Sequence, residues 1–245
     1  MNQYLQTISN ATGPTPIDLW QLSTTYIKPQ RSHNASLGYF RNFKEDEWST
    51  SLEGFYRTTA NQLEYRDFAD LFLNPHIETE LIQGEGLAYG AELLIQKNSG
   101  GITGWLAYTF SRSLIRTVSE FPEIQVNQGN WFATNFDKPH NISLVTNFHI
   151  GRGRTFNTNI NFSSGRPVTG LSSNYVIGGI IVPNFGNRNE FRIPNYFRID
   201  FSYLTNGFVR TWDDKINFSV YNLTGRRNAY SVFFQREGRG QRLVP

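Results

Sequence analysis

Apolar and polar residues alternate along several short segments of this chain. The clearest case runs from residue 197 to 203, where apolar or aromatic residues (Phe197, Ile199, Phe201 and Tyr203) are separated by Arg198, Asp200 and Ser202. Because successive side chains of a β-strand point to opposite faces, this pattern predicts a strand with one apolar and one polar face. The pattern alone does not decide whether the apolar face packs in a protein core or contacts lipid.

The same two-residue period recurs along the chain, whereas helical periodicity is almost missing. Strands are predicted at residues 35–43, 48–58, 87–97, 102–110, 142–150, 156–163, 197–203 and 215–223, and residues 3–8 fit the end of one more. The sequence therefore predicts an all-β chain, an antiparallel up-and-down meander of about nine strands.

The predicted connections alternate in length. Short turns rich in Gly, Asn and Asp cover residues 44–47, 98–101 and 151–154, and they suit hairpins. Long connections cover residues 10–32, 59–86, 117–139 and 165–193. All short turns then fall at one end of the sheet, an arrangement typical of outer-membrane barrels, which have short periplasmic turns and long extracellular loops.

Composition supports surfaces that are half apolar and half wet. Aromatic residues make up 15% of the chain and charged residues 18%, below the usual fraction of about a quarter. No apolar run approaches the roughly 20 residues of a spanning helix, so a membrane location would require a closed barrel. The chain has no cysteine, which excludes disulfides and thiol chemistry.

In a barrel, the two faces of each strand would have different surroundings. The apolar residues of strands 156–163 and 197–203 would contact lipid, and Trp48 and Trp212 would belong to the interfacial aromatic girdles. The polar residues between them are predicted to face the lumen: Glu53, Asn157, Asn159, Asn161, Arg198 and Asp200.

Catalytic and metal-binding patterns are missing. The four histidines lack metal-ligand spacing, and the glycines of residues 84–90 miss the dinucleotide fingerprint by one position with no helix after them. We therefore predict no catalytic residue, no metal and no cofactor. The arginines near the end accompany no recognised nucleic-acid-binding motif, so we expect no nucleic-acid partner.

The long connections carry aromatic residues that could stack on a ligand or on a partner lipoprotein, although packing between loops is the simpler interpretation at any one position. They are Trp20, Tyr26, Phe68, Phe72, Trp131, Phe132, Tyr175 and Phe185. Among them, the candidate ligand-binding residues are Trp20, Tyr26, Trp131, Phe132 and Tyr175.

Longer motifs across the chain resemble TonB-dependent outer-membrane receptors of Bacteroidetes-type bacteria. They are DLWQLSTTYIKPQRSHNASLGYFRNF (18–43), GEGLAYGAELLIQKNSGGITGWLAYTFSRS (84–113), FDKPHNISLVTNF (136–148), RIPNYFRIDFSY (192–203) and INFSVYNLTGRRNAYSVFF (216–234). The YGAELL strand followed by GWLAYTFSRS, together with SVYNLTGRRN, is the most specific part.

The resemblance implies a 22-stranded barrel that is filled by a plug domain. The inner-membrane protein TonB remodels the plug, and the extracellular loops capture the substrate. Residues 1–245 would be a C-terminal portion of such a barrel, without the plug domain, the N-terminal strands and the last strand.

Three functions are consistent with these patterns. The first is energised uptake of a nutrient (an iron chelate, vitamin, glycan or peptide) across the bacterial outer membrane, in contact with outer-membrane lipid and with TonB through the plug. The alternatives are a soluble β-rich module that binds a ligand or carbohydrate, or a passive porin.

Overall fold

A computed structural model describes residues 2–9, 18–70, 74–151, 153–178, 180–206, 214–230, 233–237 and 240–244. The strands are β1 (Asn2–Gln3), β2 (Leu5–Ser9), β3 (Asp18–Leu22), β4 (Gln30–Phe43), β5 (Trp48–Tyr65), β6 (Leu81–Lys97), β7 (Ile102–Thr117), β8 (Phe132–Ala133), β9 (His140–Gly151), β10 (Arg154–Ser163), β11 (Pro167–Val168), β12 (Leu171–Ile177), β13 (Ile180–Phe185), β14 (Phe191–Arg192), β15 (Tyr196–Asn206), β16 (Lys215–Val220), β17 (Phe233–Glu237) and β18 (Gly240–Val244). Three short 3-10 helices cover Ile77–Glu80, Pro122–Ile124 and Val126–Gly129.

One antiparallel sheet dominates the fold. Its strand order is β1-β4-β5-β6-β7-β9-β10-β15-β16, and β8 adds to β7. The long strands are neighbours in the order in which the chain visits them, which confirms the predicted meander of about nine strands. Separate two-stranded hairpins form from β2 and β3, from β12 and β13, and from β17 and β18.

Several strands are longer than predicted. β5 runs from Trp48 to Tyr65 and β6 starts at Leu81, so their pairing continues well past the alternating segments. A β-bulge between Ala60 and Gln62 interrupts the register, and Asn61 adopts a left-handed backbone with φ 59°. Beyond this point Leu63 and Tyr65 alternate with polar residues, but the bulge shifts the alternation by one residue, so the sequence shows no single continuous pattern along β5.

The register sorts side chains into two faces. On the apolar face, Ile160 lies opposite Ile199, and the ring centroids of Phe156 and Tyr203 are 4.7 Å apart. This face is not covered by protein: side chains such as Leu37 and Phe218 are 83% and 59% exposed. A sheet that leaves large apolar residues uncovered needs an apolar environment outside the chain.

The polar face carries all six residues predicted for the lumen. Asn159 lies opposite Asp200 and Asn161 opposite Arg198, while Asn157 donates a 3.0 Å hydrogen bond to Ser202. Across the sheet, Glu53 lies opposite Glu92 on the same face. That this face lines a lumen stays a prediction.

Among the described residues, no helix combines the length and apolar character needed to cross a membrane.

Candidate functional site: a groove between the long connections

The connection after β7 folds back over the polar face. Ile115 lies six residues beyond Thr109, which is opposite Glu92, so both belong to the polar face. Ile115 is 1% exposed because it packs with Val126 and Phe132 of this connection. The end of the sheet opposite the short turns is therefore capped on its polar side.

Arg188, from the connection between β13 and β14, ties the long connections together. Its guanidinium donates to Glu64 Oε1 at 2.9 Å and to Asp67 Oδ1 at 2.7 Å, at the end of β5. Its backbone N–H donates to Asn127 Oδ1 at 2.7 Å, and Asn127 Nδ2 donates to the Arg188 carbonyl at 3.0 Å. One residue thus joins segments that are more than 120 residues apart in sequence.

Asn189 adds a second set of contacts from the same segment. Its side-chain amide donates to the Ala133 carbonyl at 2.7 Å and to Asn135 Oδ1 at 2.9 Å. Its backbone N–H donates to Thr169 Oγ1 at 3.2 Å. Its left-handed backbone, with φ 58°, directs these groups towards both neighbouring connections, a conformation that Asn tolerates better than most residues.

A buried carboxylate fixes these connections to the sheet. The Asp137 side chain is 0% exposed. It accepts hydrogen bonds from the Ser113 backbone at 2.7 Å and from Arg112 Nε at 3.3 Å, and it pairs with Arg192 of β14. A buried charge with this many donors is well compensated, so the carboxylate acts as a structural anchor.

The connections enclose a groove of about 970 Å³, here called the loop groove. It is lined by Glu64, Tyr65, Arg66, Asp67, Phe68, Ala69, Pro122, Glu123, Gln125, Asn127, Gln128, Asn135, Thr169, Ser172, Phe185, Gly186, Asn187, Arg188, Asn189 and Glu190. Its volume lies in the range of ligand-binding clefts.

Arg66 of the loop groove is paired with Glu80. Its guanidinium donates to the two carboxylate oxygens at 2.6 and 2.8 Å, and the Asp70 N–H donates to the same carboxylate at 3.1 Å. The hydrogen bond from Arg66 holds the pKa of Glu80 below its ordinary value, with the Asp70 N–H acting in the same direction. This pair closes the connection between β5 and β6.

The five predicted ligand-binding aromatics do not converge. Trp20 and Tyr26 are 63% and 84% exposed near the N-terminal side, and Tyr175 is 48% exposed on β12. Trp131 lies under the guanidinium of Arg116, whose central carbon is 5.0 Å from the centroid of the Trp131 ring. Trp131 also lines a smaller groove of about 390 Å³. Phe132 is 6% exposed and packs against Ile115, so at this position loop packing is what the structure shows.

Two other loop aromatics, Phe68 and Phe185, do line the loop groove. Phe72 lies outside the described residues, as does Trp212. Sequence reasoning missed the contribution of Arg188, whose local sequence, FGNRNEF, looks like an ordinary polar turn. The described residues contain no group of three His, Cys, Asp or Glu side chains that could hold a metal ion.

The profile of the family described as "TonB dependent receptor-like, beta-barrel" matches residues 3–223. The chain belongs to this family. TonB-dependent receptor barrels are outer-membrane proteins, so the chain is an outer-membrane protein and its exposed apolar face is suited to lipid. The family is one of receptors rather than of enzymes. The Bacteroidetes-type origin stays a prediction.

A solved structure shows the same architecture as this receptor barrel. It is the ferripyoverdine receptor of the outer membrane of Pseudomonas aeruginosa bound to ferripyoverdine. The TM-score is 0.57 at 15% identity, and the match covers 85% of this chain and 24% of that receptor. The chain thus spans about a quarter of the receptor's length, and the likeness concerns the fold. No curated protein matches the chain.

Proposed function

We propose that this chain is the C-terminal barrel portion of a TonB-dependent receptor that takes up a nutrient across the outer membrane with energy from TonB. The observation that supports this proposal most directly is the loop groove. The long connections form it over the polar face of the sheet, and the sheet belongs to a barrel of this family. With the polar face towards the lumen, the groove would stand at the outer entrance. A ligand captured there would be next to the path across the membrane.

The polar face supports a second part of the proposal, contact with a plug domain. Arg198 Nε donates to Asp200 at 2.9 Å, and the Arg198 guanidinium lies 4.4 Å from the ring centroid of Tyr221. These groups use only part of their hydrogen-bonding capacity within the sheet. A plug domain supplied by the longer receptor would contact the rest. TonB would act on this plug, and a surface lipoprotein would contact the outer connections.

The proposal is tested by uptake in cells. A strain that lacks the gene is complemented with the full-length receptor, and growth is compared on panels of limiting iron chelates, vitamins, glycans and peptides. We expect growth on one nutrient to depend on both the receptor and TonB. Growth that depends on the receptor but not on TonB would indicate a passive porin instead.

A soluble binding module is the less favourable alternative because of the uncovered apolar face. Leu52 and Tyr56 on β5 are 53% and 52% exposed, in the same face as Leu37. Such a surface would promote association in water. Extraction of the full-length receptor only with detergent is the expected result, and release by salt or high pH would favour the soluble module.

A further inference from the structure

The cationic side chains of the loop groove are already paired, and its unpaired carboxylates would repel an anion. Among the described residues, two cationic ones line the groove: Arg66, whose guanidinium binds Glu80, and Arg188, whose guanidinium binds Glu64 and Asp67. Glu123 and Glu190 also line the groove, and neither has a cation partner among the described residues. Because no guanidinium is left over and two carboxylates remain, an anionic ligand such as a carboxylate chelate would be disfavoured.

The large apolar side chains of the loop groove are aromatic, and the other apolar lining residues are the small Ala69 and Pro122. Phe68 and Phe185 are 90% and 45% exposed, while no Leu, Ile, Val or Met occurs among the described residues that line the groove. An extended peptide needs pockets for its apolar side chains. Two exposed rings instead offer flat surfaces on which another ring can stack.

Phe68 combines a left-handed backbone with an exposed side chain. Its φ is 58°, in the left-handed region that bulky residues rarely occupy, and its side chain gains almost no burial in return. Asn127 and Gln128, on the facing connection, are also left-handed with φ 51° and 54°. Backbone strain of this kind clusters at binding sites, where it aims side chains at a ligand.

Besides the carboxylates of Glu123 and Glu190, the loop groove offers free uncharged amides. The side chains of Gln128 and Asn187 make no hydrogen bond to the described residues, and each offers both donors and an acceptor. A sugar ring has a C–H face that can stack on an aromatic ring and hydroxyl groups that both donate and accept. Its chemistry therefore matches both parts of the groove.

We propose that the loop groove binds an uncharged oligosaccharide. Phe68 and Phe185 stack against its sugar rings, and the amides of Gln128 and Asn187 bind its hydroxyl groups. The two guanidiniums hold the groove in shape and do not contact the ligand. This inference rests on the proposed function, because it names the class of nutrient that the receptor captures.

The test is calorimetric titration of the full-length receptor in detergent. The neutral probes are cellohexaose, maltohexaose and laminarihexaose, and the competing classes are ferric citrate and an uncharged hexapeptide. We expect at least one hexasaccharide to bind saturably. Phe68→Ala and Phe185→Ala should each raise its Kd about tenfold, the loss expected for one stacked ring.

Phe136→Ala is the matched control, since Phe136 is 69% exposed and does not line the loop groove; its Kd should equal that of the wild type. Because Phe68 is so exposed, its replacement should leave the folded barrel intact, which heat-modifiability on gels checks. The inference is overturned if no hexasaccharide binds, if only ferric citrate or the peptide binds, or if the Phe68→Ala/Phe185→Ala double variant binds as the wild type does. TonB-dependent growth on another nutrient would then leave the proposed function standing.

Discussion

At the residue scale, Ile199 and Ser202 test the assignment of the two faces. Ile199 lies opposite Ile160 on the apolar face, whereas Ser202 accepts a hydrogen bond from Asn157 on the polar face. An arginine on the lipid side of a barrel costs about 2–4 kcal/mol near the bilayer centre, and a lumen position tolerates it. Ile199→Arg in the full-length receptor should therefore reduce the heat-modifiable, assembled protein in outer membranes, and Ser202→Arg should not. Equal tolerance of the two changes would contradict the assignment.

Glu80 makes the loop groove sensitive to acid. Arg66 lowers the pKa of Glu80 from its ordinary 4.5 in the folded state, so the pair stabilises the connection fully above pH 4.5. This stabilisation is lost as the pH falls below 4.5 through the folded pKa. Limited proteolysis of the full-length receptor should show the 66–80 connection becoming more susceptible over this range.

Glu80→Gln is the control for the acid effect. It should be more susceptible at neutral pH than the wild type and should lose the dependence on pH below 4.5 at this connection. The same pH profile in both proteins would show that other carboxylates open the connection.

At the element scale, Arg188 holds three connections in place: its own, the one after β5 and the one after β7. Its replacement by Met leaves Glu64 and Asp67 without their cation and removes donors to the strand end. A charged group left unpaired in a mostly buried site costs about 1–3 kcal/mol or more. We expect faster hydrogen exchange in residues 66–70 and 126–135 of the Arg188→Met receptor, by about tenfold or more.

Arg57→Met provides the comparison, because Arg57 is an exposed residue of β5 with a single side-chain bond to Asn34. Its exchange profile in the two connections should match the wild type. Protection that survives in Arg188→Met would show that Asn189 and Asp137 hold the connections without Arg188.

The elements differ in how far the sequence could predict them. The alternation at residues 197–203 predicted β15 and its faces because one side of that strand meets an apolar environment. The hairpin of β12 and β13 was missed, although the sequence VIGGII carries a Gly-Gly turn signal between two β-branched runs. The extension of β5 depends on the bulge at Asn61, whose amide donates to the Pro29 carbonyl at 2.9 Å, a partner 32 residues away. Such a contact has no local signal.

At the scale of the whole molecule, the site was harder to predict than the fold. The strand pattern and the alternating connection lengths already indicated an outer-membrane barrel, and the family match and the architecture bear this out. The loop groove instead arises from long-range contacts of Arg188 and Asn189, and single aromatics such as Phe132 and Phe68 look alike in sequence although one is buried and the other exposed. Which loop residues converge is a property of tertiary packing.

The last prediction concerns the sheet as a whole. Among the described residues it does not close: β4 is paired on one side with only the two residues of β1, and β16 ends the strand order. Unpaired edges next to an uncovered apolar face favour association between copies. Residues 1–245 expressed alone should therefore aggregate in plain buffer, whereas the full-length receptor should elute as one species in detergent during size-exclusion chromatography. A monodisperse monomer of the isolated chain in plain buffer would show that its apolar face is covered by protein, and the lipid-facing assignment would be wrong.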